Sequence, residues 1–139
     1  MNIRDIALRI AAEHFGKPYV YGAKGPDSFD CSGFLVNILQ RTGQVPLDTE
    51  TMWNAQKIFN EFDSLEVGQF KERPDRGDFV FYGPDIETIK HCAMCITPEL
   101  IIGANGKGPK GVGRLNSVCV QPINYHQYSI QGVLDVYGE

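Results

Sequence analysis

Pro18-Tyr19-Val20-Tyr21-Gly22-Ala23-Lys24-Gly25-Pro26-Asp27-Ser28-Phe29-Asp30-Cys31-Ser32-Gly33 is a turn-rich run that closes on a cysteine. Its glycines and prolines keep it irregular. Directly after it, Phe34, Leu35, Ile38 and Leu39 recur three and four residues apart, the spacing of one helix face. A helix is therefore expected to begin between Asp30 and Ser32 and to run to about Thr42, with Gly43 suited to the position just past its end. Cys31 falls in the first turn of that helix. The free N–H groups and the positive dipole end there stabilise a thiolate, which lowers a thiol pKa that is ordinarily about 8.5. A thiol so placed attacks carbonyl carbon near neutral pH. A cysteine between Phe29 and Phe34 is equally compatible with plain core packing.

Working outward, Ile3, Ile6, Ala7, Ile10 and Ala11 follow helical spacing from Ile3 to Phe15, and Gly16 and Pro18 end the pattern. Downstream, Pro46 opens a new segment. Asp48 or Thr49 is expected to cap a third helix that runs through Met52, Trp53, Ile58 and Phe59 to about Phe62. After Pro74-Asp75-Arg76-Gly77-Asp78 the pattern turns to short β-favouring runs: Phe79 to Tyr82, His91 to Ile96, Leu100 to Ala104, Val118 to Val120 and Ser129 to Val136. Thr97-Pro98-Glu99 joins two of them as a hairpin. Asn105 to Gly113, rich in glycine, reads as a mobile loop. Three helices followed by an antiparallel sheet make an α+β fold.

The 139 residues suit one domain spanning 1–139, and 42% hydrophobic with 22% charged residues is the composition of an ordinary packed core under a polar surface. A net charge of −4 with scattered lysine and arginine argues against a nucleic-acid partner. Charges interrupt the apolar residues of the first ten positions, so no signal peptide is read there. No run is long enough to insert in a membrane. The expectation is a chain made in the cytoplasm that reaches any outside target by a route needing no leader. The four cysteines are then expected as free thiols.

A nucleophilic cysteine needs a base within hydrogen-bond reach, and three histidines are available. His14, near the end of the first helix, and His126, in the polar stretch Asn124 to Tyr128, read as surface or loop residues. His91 opens a strand and would be held on rigid backbone. His91, Cys92 and Cys95 also have a spacing reminiscent of zinc ligands, but strand alternation turns Cys92 and Cys95 to opposite faces, so no metal is expected. Cys92, Cys95 and Cys119 read as small buried hydrophobes.

Phe15-Gly16-Lys17-Pro18-Tyr19-Val20-Tyr21-Gly22, Phe29-Asp30-Cys31-Ser32-Gly33-Phe34, Arg76-Gly77-Asp78-Phe79-Val80-Phe81-Tyr82 and His91 at a strand start together resemble the NlpC family of papain-like cell-wall cysteine peptidases. The resemblance implies that Cys31 is the nucleophile and His91 its base. It implies that the Tyr19 hydroxyl lies beside the nucleophile and, with the Cys31 N–H, faces the oxyanion. Asp30 and Ser32 match positions that line the grip on a substrate's free amine. One position departs: twelve residues after His91, where a polar residue would orient the base, stands Gly103. Asn105, two residues on and on the same strand face, is the expected replacement, with a backbone carbonyl or a water as alternatives.

By the same resemblance the chain is expected to cut peptidoglycan stem peptides at the γ-D-glutamyl–diaminopimelate bond through a Cys31 thioester, with no cofactor. The setting expected is a bacteriophage tail tip or lysis component, with tail-tip proteins as partners, or else an injected toxin. The rival readings are a thiol amidase or acyltransferase on a non-wall substrate, and a weakly active structural subunit of a tail assembly.

Overall fold

The computed structural model describes residues 2–47, 54–65, 69–71, 73–106 and 116–137. Helix α1 (Ile3–Glu13) starts at Asn2, whose side-chain oxygen accepts the Asp5 N–H at 3.0 Å, and it buries Ala7, Ile10 and Ala11. Its Arg4 is buried as well. The guanidinium lies 2.9 Å from Asp78 and 2.9 Å from Asp135, two carboxylates with no solvent exposure. Buried charges persist only when paired. Arg4 thereby ties the helical layer to the sheet, and the Arg-Gly-Asp stretch at 76–78 works as an anchor, Arg76 pairing with Asp5 of the same helix.

Helix α2 (Cys31–Arg41) begins and ends where the sequence pattern places it, between the caps Asp30 and Thr42. Phe34, Leu35, Ile38 and Leu39 are completely buried, and the helix packs on α1, on the third helix and on the centre of the sheet. Helix α3 (Ala55–Leu65) starts later than expected. Asn54 caps it, its side-chain oxygen accepting the Lys57 N–H at 2.8 Å. Asp48, Thr49, Met52 and Trp53 lie outside the described residues.

The sheet is built from β1 (Gln69–Lys71), β2 (Phe79–Tyr82), β3 (His91–Cys95), β4 (Leu100–Asn105), β5 (Ser117–Pro122) and β6 (Ile130–Asp135). Its order is β1-β6-β2-β3-β4-β5, with every neighbouring pair antiparallel. Strand β1 was not expected; three residues are too few to display a period of two. Asn105, expected in a loop, is the last residue of β4 and is buried. Residues 107–113, the rest of that expected loop but for Gly106, lie outside the described residues.

Alternation divides the sheet's side chains into two sets. Phe79, Phe81, Cys92, Met94, Ile102, Ala104 and Leu134 pack with the helices. Val80, Tyr82, Ala93, Cys95 and Ile101 face the other way and are covered by Ile123, Tyr125 and Tyr128 from the connection between β5 and β6. Cys92 and Cys95 thus belong to opposite faces.

His14 is a correction: it is buried, not on the surface. Its Nε2 donates to Asn37 Oδ1 at 2.7 Å, its Nδ1 accepts from Lys17 Nζ at 3.0 Å, and its ring lies tilted against Phe29 with centroids 4.6 Å apart. Position 14 lies four residues after Ile10 and three after Ala11, on the buried face of α1. Burial lowers its pKa, keeping it the neutral peg on which the loop before Cys31 rests.

Candidate active site

The loop from Pro18 to Asp30 is seated by backbone hydrogen bonds from Tyr19 N–H to Asn116 O (2.8 Å), from Phe29 N–H to Pro18 O (3.1 Å) and from Asp30 N–H to Ala23 O (2.8 Å). It lies directly on the first turn of α2. A Cβ at Gly33 would come 2.5 Å from Ala23 O and 3.0 Å from Lys24 Cα, so only glycine permits the approach. Asp30 Oδ1 accepts the Gly33 N–H at 2.6 Å and the Ser32 hydroxyl at 3.1 Å. The Asp-Cys-Ser-Gly run therefore reads physically as a cap, a reactive group at the helix start, a second donor to the cap, and a point of close contact.

Cys31 is half-buried and its thiol hydrogen-bonds both Cys92 and His91. Its pKa lies well below the ordinary thiol range. The bond from Cys92 lowers it most; burial works against this, His91 adds to the lowering, and the Asp30 charge opposes it. The Cys92 thiol is pushed up, first by burial and then by its bond to Cys31. Of the two sulfurs, Cys31 carries the negative charge and Cys92 keeps its proton. Cys92, expected as a passive core residue, is thus a hydrogen-bond donor to the reactive sulfur.

His91, the first residue of β3, is 7% exposed. Its Nε2 is 3.0 Å from Asn105 Oδ1 and 2.7 Å from the Tyr125 hydroxyl, which itself donates to Asn105 Oδ1. The Asn105 amide cannot be turned over without loss, because its Nδ2 donates to Gly103 O at 3.0 Å and to Cys119 Sγ at 3.2 Å. An oxygen therefore faces His91, and an oxygen there requires the hydrogen to sit on Nε2. Nδ1 is left as the nitrogen available to Cys31.

The ring of His126 stacks on His91 at 4.8 Å with planes 4° apart. Burial, then the charge of His91, lowers the His126 pKa to about 4, so this second ring is neutral. His126 is another correction: it is not a loop bystander but a lid on the candidate base.

Tyr19 is half-buried, its ring packed over Gly106, where a Cβ would come within 3.1 Å. Burial, and next the charge on Cys31, push its pKa to about 12, so it remains an O–H donor near the sulfur. Gly103 carries no side chain toward His91, and a Cβ there would lie 3.0 Å from Ala93 Cβ. The structure therefore brings Cys31, His91, Asn105, Tyr19, Asp30 and Ser32 to one end of α2 and β3. Among the described residues, no group of three His, Cys, Asp or Glu side chains is placed to hold a metal ion.

The model of the NlpC/P60 family matches residues 16–128, which include this whole cluster. The chain belongs to the NlpC/P60 family. It is 52% identical over 98 residues to the probable endopeptidase p60 of Listeria grayi, covering 70% of this chain and 17% of that protein. The chain spans under a fifth of the length of the curated relatives it matches. The NlpC/p60 domain of the peptidoglycan hydrolase SagA superposes with a TM-score of 0.67 at 22% identity, covering 97% of this chain and 98% of that one. RipD from Mycobacterium tuberculosis, a non-catalytic NlpC/p60 domain protein adapted to peptidoglycan binding, gives 0.62 at 19% identity over 97% of each chain. At these identities the likeness is one of fold.

Within this NlpC/P60 site, the sequence reading missed Tyr125, His126 and the donor role of Cys92. Two tyrosines flanking a histidine in a polar stretch were the available signal. Cys92 had none beyond its place next to His91.

Proposed function

We propose that this NlpC/P60 chain is a cysteine endopeptidase that cuts peptidoglycan stem peptides, at the γ-D-glutamyl–diaminopimelate bond. The observation that carries the chemistry is the Cys31 thiol, at the start of α2, hydrogen-bonded to His91, a base whose far nitrogen is fixed by Asn105 and Tyr125. The substrate class rests on relatives whose names state endopeptidase and peptidoglycan hydrolase activity.

In this mechanism the Cys31 thiolate attacks the carbonyl carbon, and the new oxyanion is met by the Tyr19 hydroxyl and the Cys31 N–H. His91 Nδ1, holding the proton it took from the Cys31 thiol, delivers that proton to the leaving amine as the C–N bond breaks, which leaves a thioester. Water then loses a proton to Nδ1 and attacks the thioester, releasing the acid and restoring the thiolate. Throughout, Nε2–H stays bonded to Asn105 and Tyr125, so the ring neither tips nor changes tautomer.

The test is to incubate the protein with purified sacculi and identify released peptides by mass. Wild type should release peptides that begin at diaminopimelate, the L-alanyl-D-glutamate stub staying on the glycan, and Cys31→Ala should release none while melting at the same temperature. Release by Cys31→Ala, or wild type that binds sacculi and frees nothing, as a binding-only relative of RipD would, refutes the proposal.

A further inference from the structure

The loop over the nucleophile carries a lysine that the proposed mechanism does not use. Lys24 Nζ lies 2.9 and 3.1 Å from the two carboxylate oxygens of Asp30 and 3.0 Å from Ser32 Oγ. The Lys24 and Asp30 side chains are only 17% and 12% exposed. The backbone of Lys24 is pressed on the first turn of α2 at Gly33. This is an ion pair fixed by packing and largely shielded from salt and water, unlike a lysine that snorkels from a surface. Its partners flank Cys31 on both sides in sequence, so it sets the charge next to the reactive sulfur.

A carboxylate left alone at this place would have two effects. It would attract a cationic group on an incoming substrate, and it would disfavour the neighbouring thiolate, as the opposing influence of Asp30 on Cys31 already indicates. Lys24 cancels both. Asp30 Oδ1 accepts the Gly33 N–H and the Ser32 hydroxyl, and both carboxylate oxygens meet the Lys24 ammonium. The two residues expected to meet a substrate's amine already meet one that belongs to the chain.

We propose that Lys24 fills the position beside Asp30 and Ser32 where a substrate's amine would bind and thereby sets the specificity of the site. Stem peptides whose first amino group is acylated, as it is while the stem remains attached to its glycan strand, are accepted beside Asp30 and Ser32. Stems with a free amino terminus are disfavoured, because a second ammonium would have to share or displace the first. This rests on the reading of the chain as a stem-peptide endopeptidase.

Two pairs of probes test it. The first is a tripeptide of L-alanine, γ-linked D-glutamate and diaminopimelate, amino terminus free or acetylated, compared by kcat/KM. The second is alkylation of Cys31 by bromoethylamine, which is cationic, or by iodoacetamide, which is neutral. Wild type should prefer the acetylated peptide. Lys24→Met should move both ratios toward the ammonium-bearing probe, on the order of tenfold, the lower end for one hydrogen bond to a charged group. If that variant fails to fold by circular dichroism, Lys24→Gln keeps a donor to Asp30 without the charge and should move the ratios the same way. Unmoved ratios in a folded variant, or wild type that prefers the free amine, overturn the assignment. If wild type cuts neither peptide, the endopeptidase reading falls, and the alkylation ratio still decides whether Lys24 holds the amine position.

Discussion

Cys92→Ala should make Cys31 a weaker acid and a slower nucleophile at low pH. The Cys92 thiol is fully buried, is kept protonated by that burial, and donates to the Cys31 sulfur. Hydrogen bonds to charged groups contribute about 1.5–3 kcal/mol net, and a thiol is a weak donor, so the lower end applies, about tenfold in the population of thiolate. The sign follows from the acid's own equilibrium. Below the midpoint of the titration the thiolate fraction falls as the donor is lost, whereas well above it both proteins are fully ionised and react alike. The assay is the iodoacetamide rate at Cys31 from pH 4 to 10, with the site confirmed by mass. The Cys92→Ala profile should shift to higher pH and lose about tenfold at its acid end. Cys92→Ser, which retains an O–H donor, should stay near wild type. Profiles for Cys92→Ala and wild type that superimpose would refute the reasoning and return Cys92 to core packing.

Tyr19→Phe keeps the ring over Gly106 and removes one donor, so hydrolysis should slow on the order of tenfold to a thousandfold at unchanged melting temperature; full activity would leave Tyr19 a packing residue. Asn105→Ala leaves the His91 Nε2–H with Tyr125 alone, and the ring's lost alignment should reduce kcat by about a hundredfold, measured on the acetylated tripeptide. Gly103→His must push against Ala93 Cβ, 3.0 Å from where its own Cβ would stand, and should destabilise by about 1–3 kcal/mol in urea. Arg4→Met removes the cation between the buried carboxylates of Asp78 and Asp135 and should cost about 3–5 kcal/mol by the same measurement.

What was legible in the sequence was local. The spacing of Phe34, Leu35, Ile38 and Leu39 located α2 because a buried helix face leaves a period of 3.6, and the turn-rich run before it located the reactive end. The cap of α3 was not so readable: Asp48, Thr49 and Asn54 are all good cap residues, and nothing local ranks them. Tyr125 was out of reach for another reason. It stands 34 residues from His91, in a polar stretch that reads as loop, and it meets the base only because the β5–β6 connection folds back over the second face of the sheet. Cys92 was legible as a buried residue on the face opposite Cys95, but not as facing the turn that holds Cys31.

The departure at Gly103 follows from strand register. β3 and β4 pair Met94 with Ile102 and Cys95 with Ile101, and the same register carried along the strands sets Ala93 opposite Gly103 and His91 opposite Asn105. Residues directly across an antiparallel pair hold their Cβ atoms about 4.5–5.5 Å apart, while diagonal neighbours are about 7–8 Å apart. A side chain at position 103 would reach His91 only along the diagonal, whereas Asn105 meets Nε2 directly at 3.0 Å. Position 103 is then free to serve the backbone. Its missing Cβ lets β4 lie close on Ala93, and its carbonyl accepts the Asn105 Nδ2, the bond that turns the amide oxygen toward the imidazole. Gly103 and Asn105 therefore act together, one orienting the amide and the other orienting the base, so restoring a polar side chain at 103 would disturb the support that position 105 now depends on.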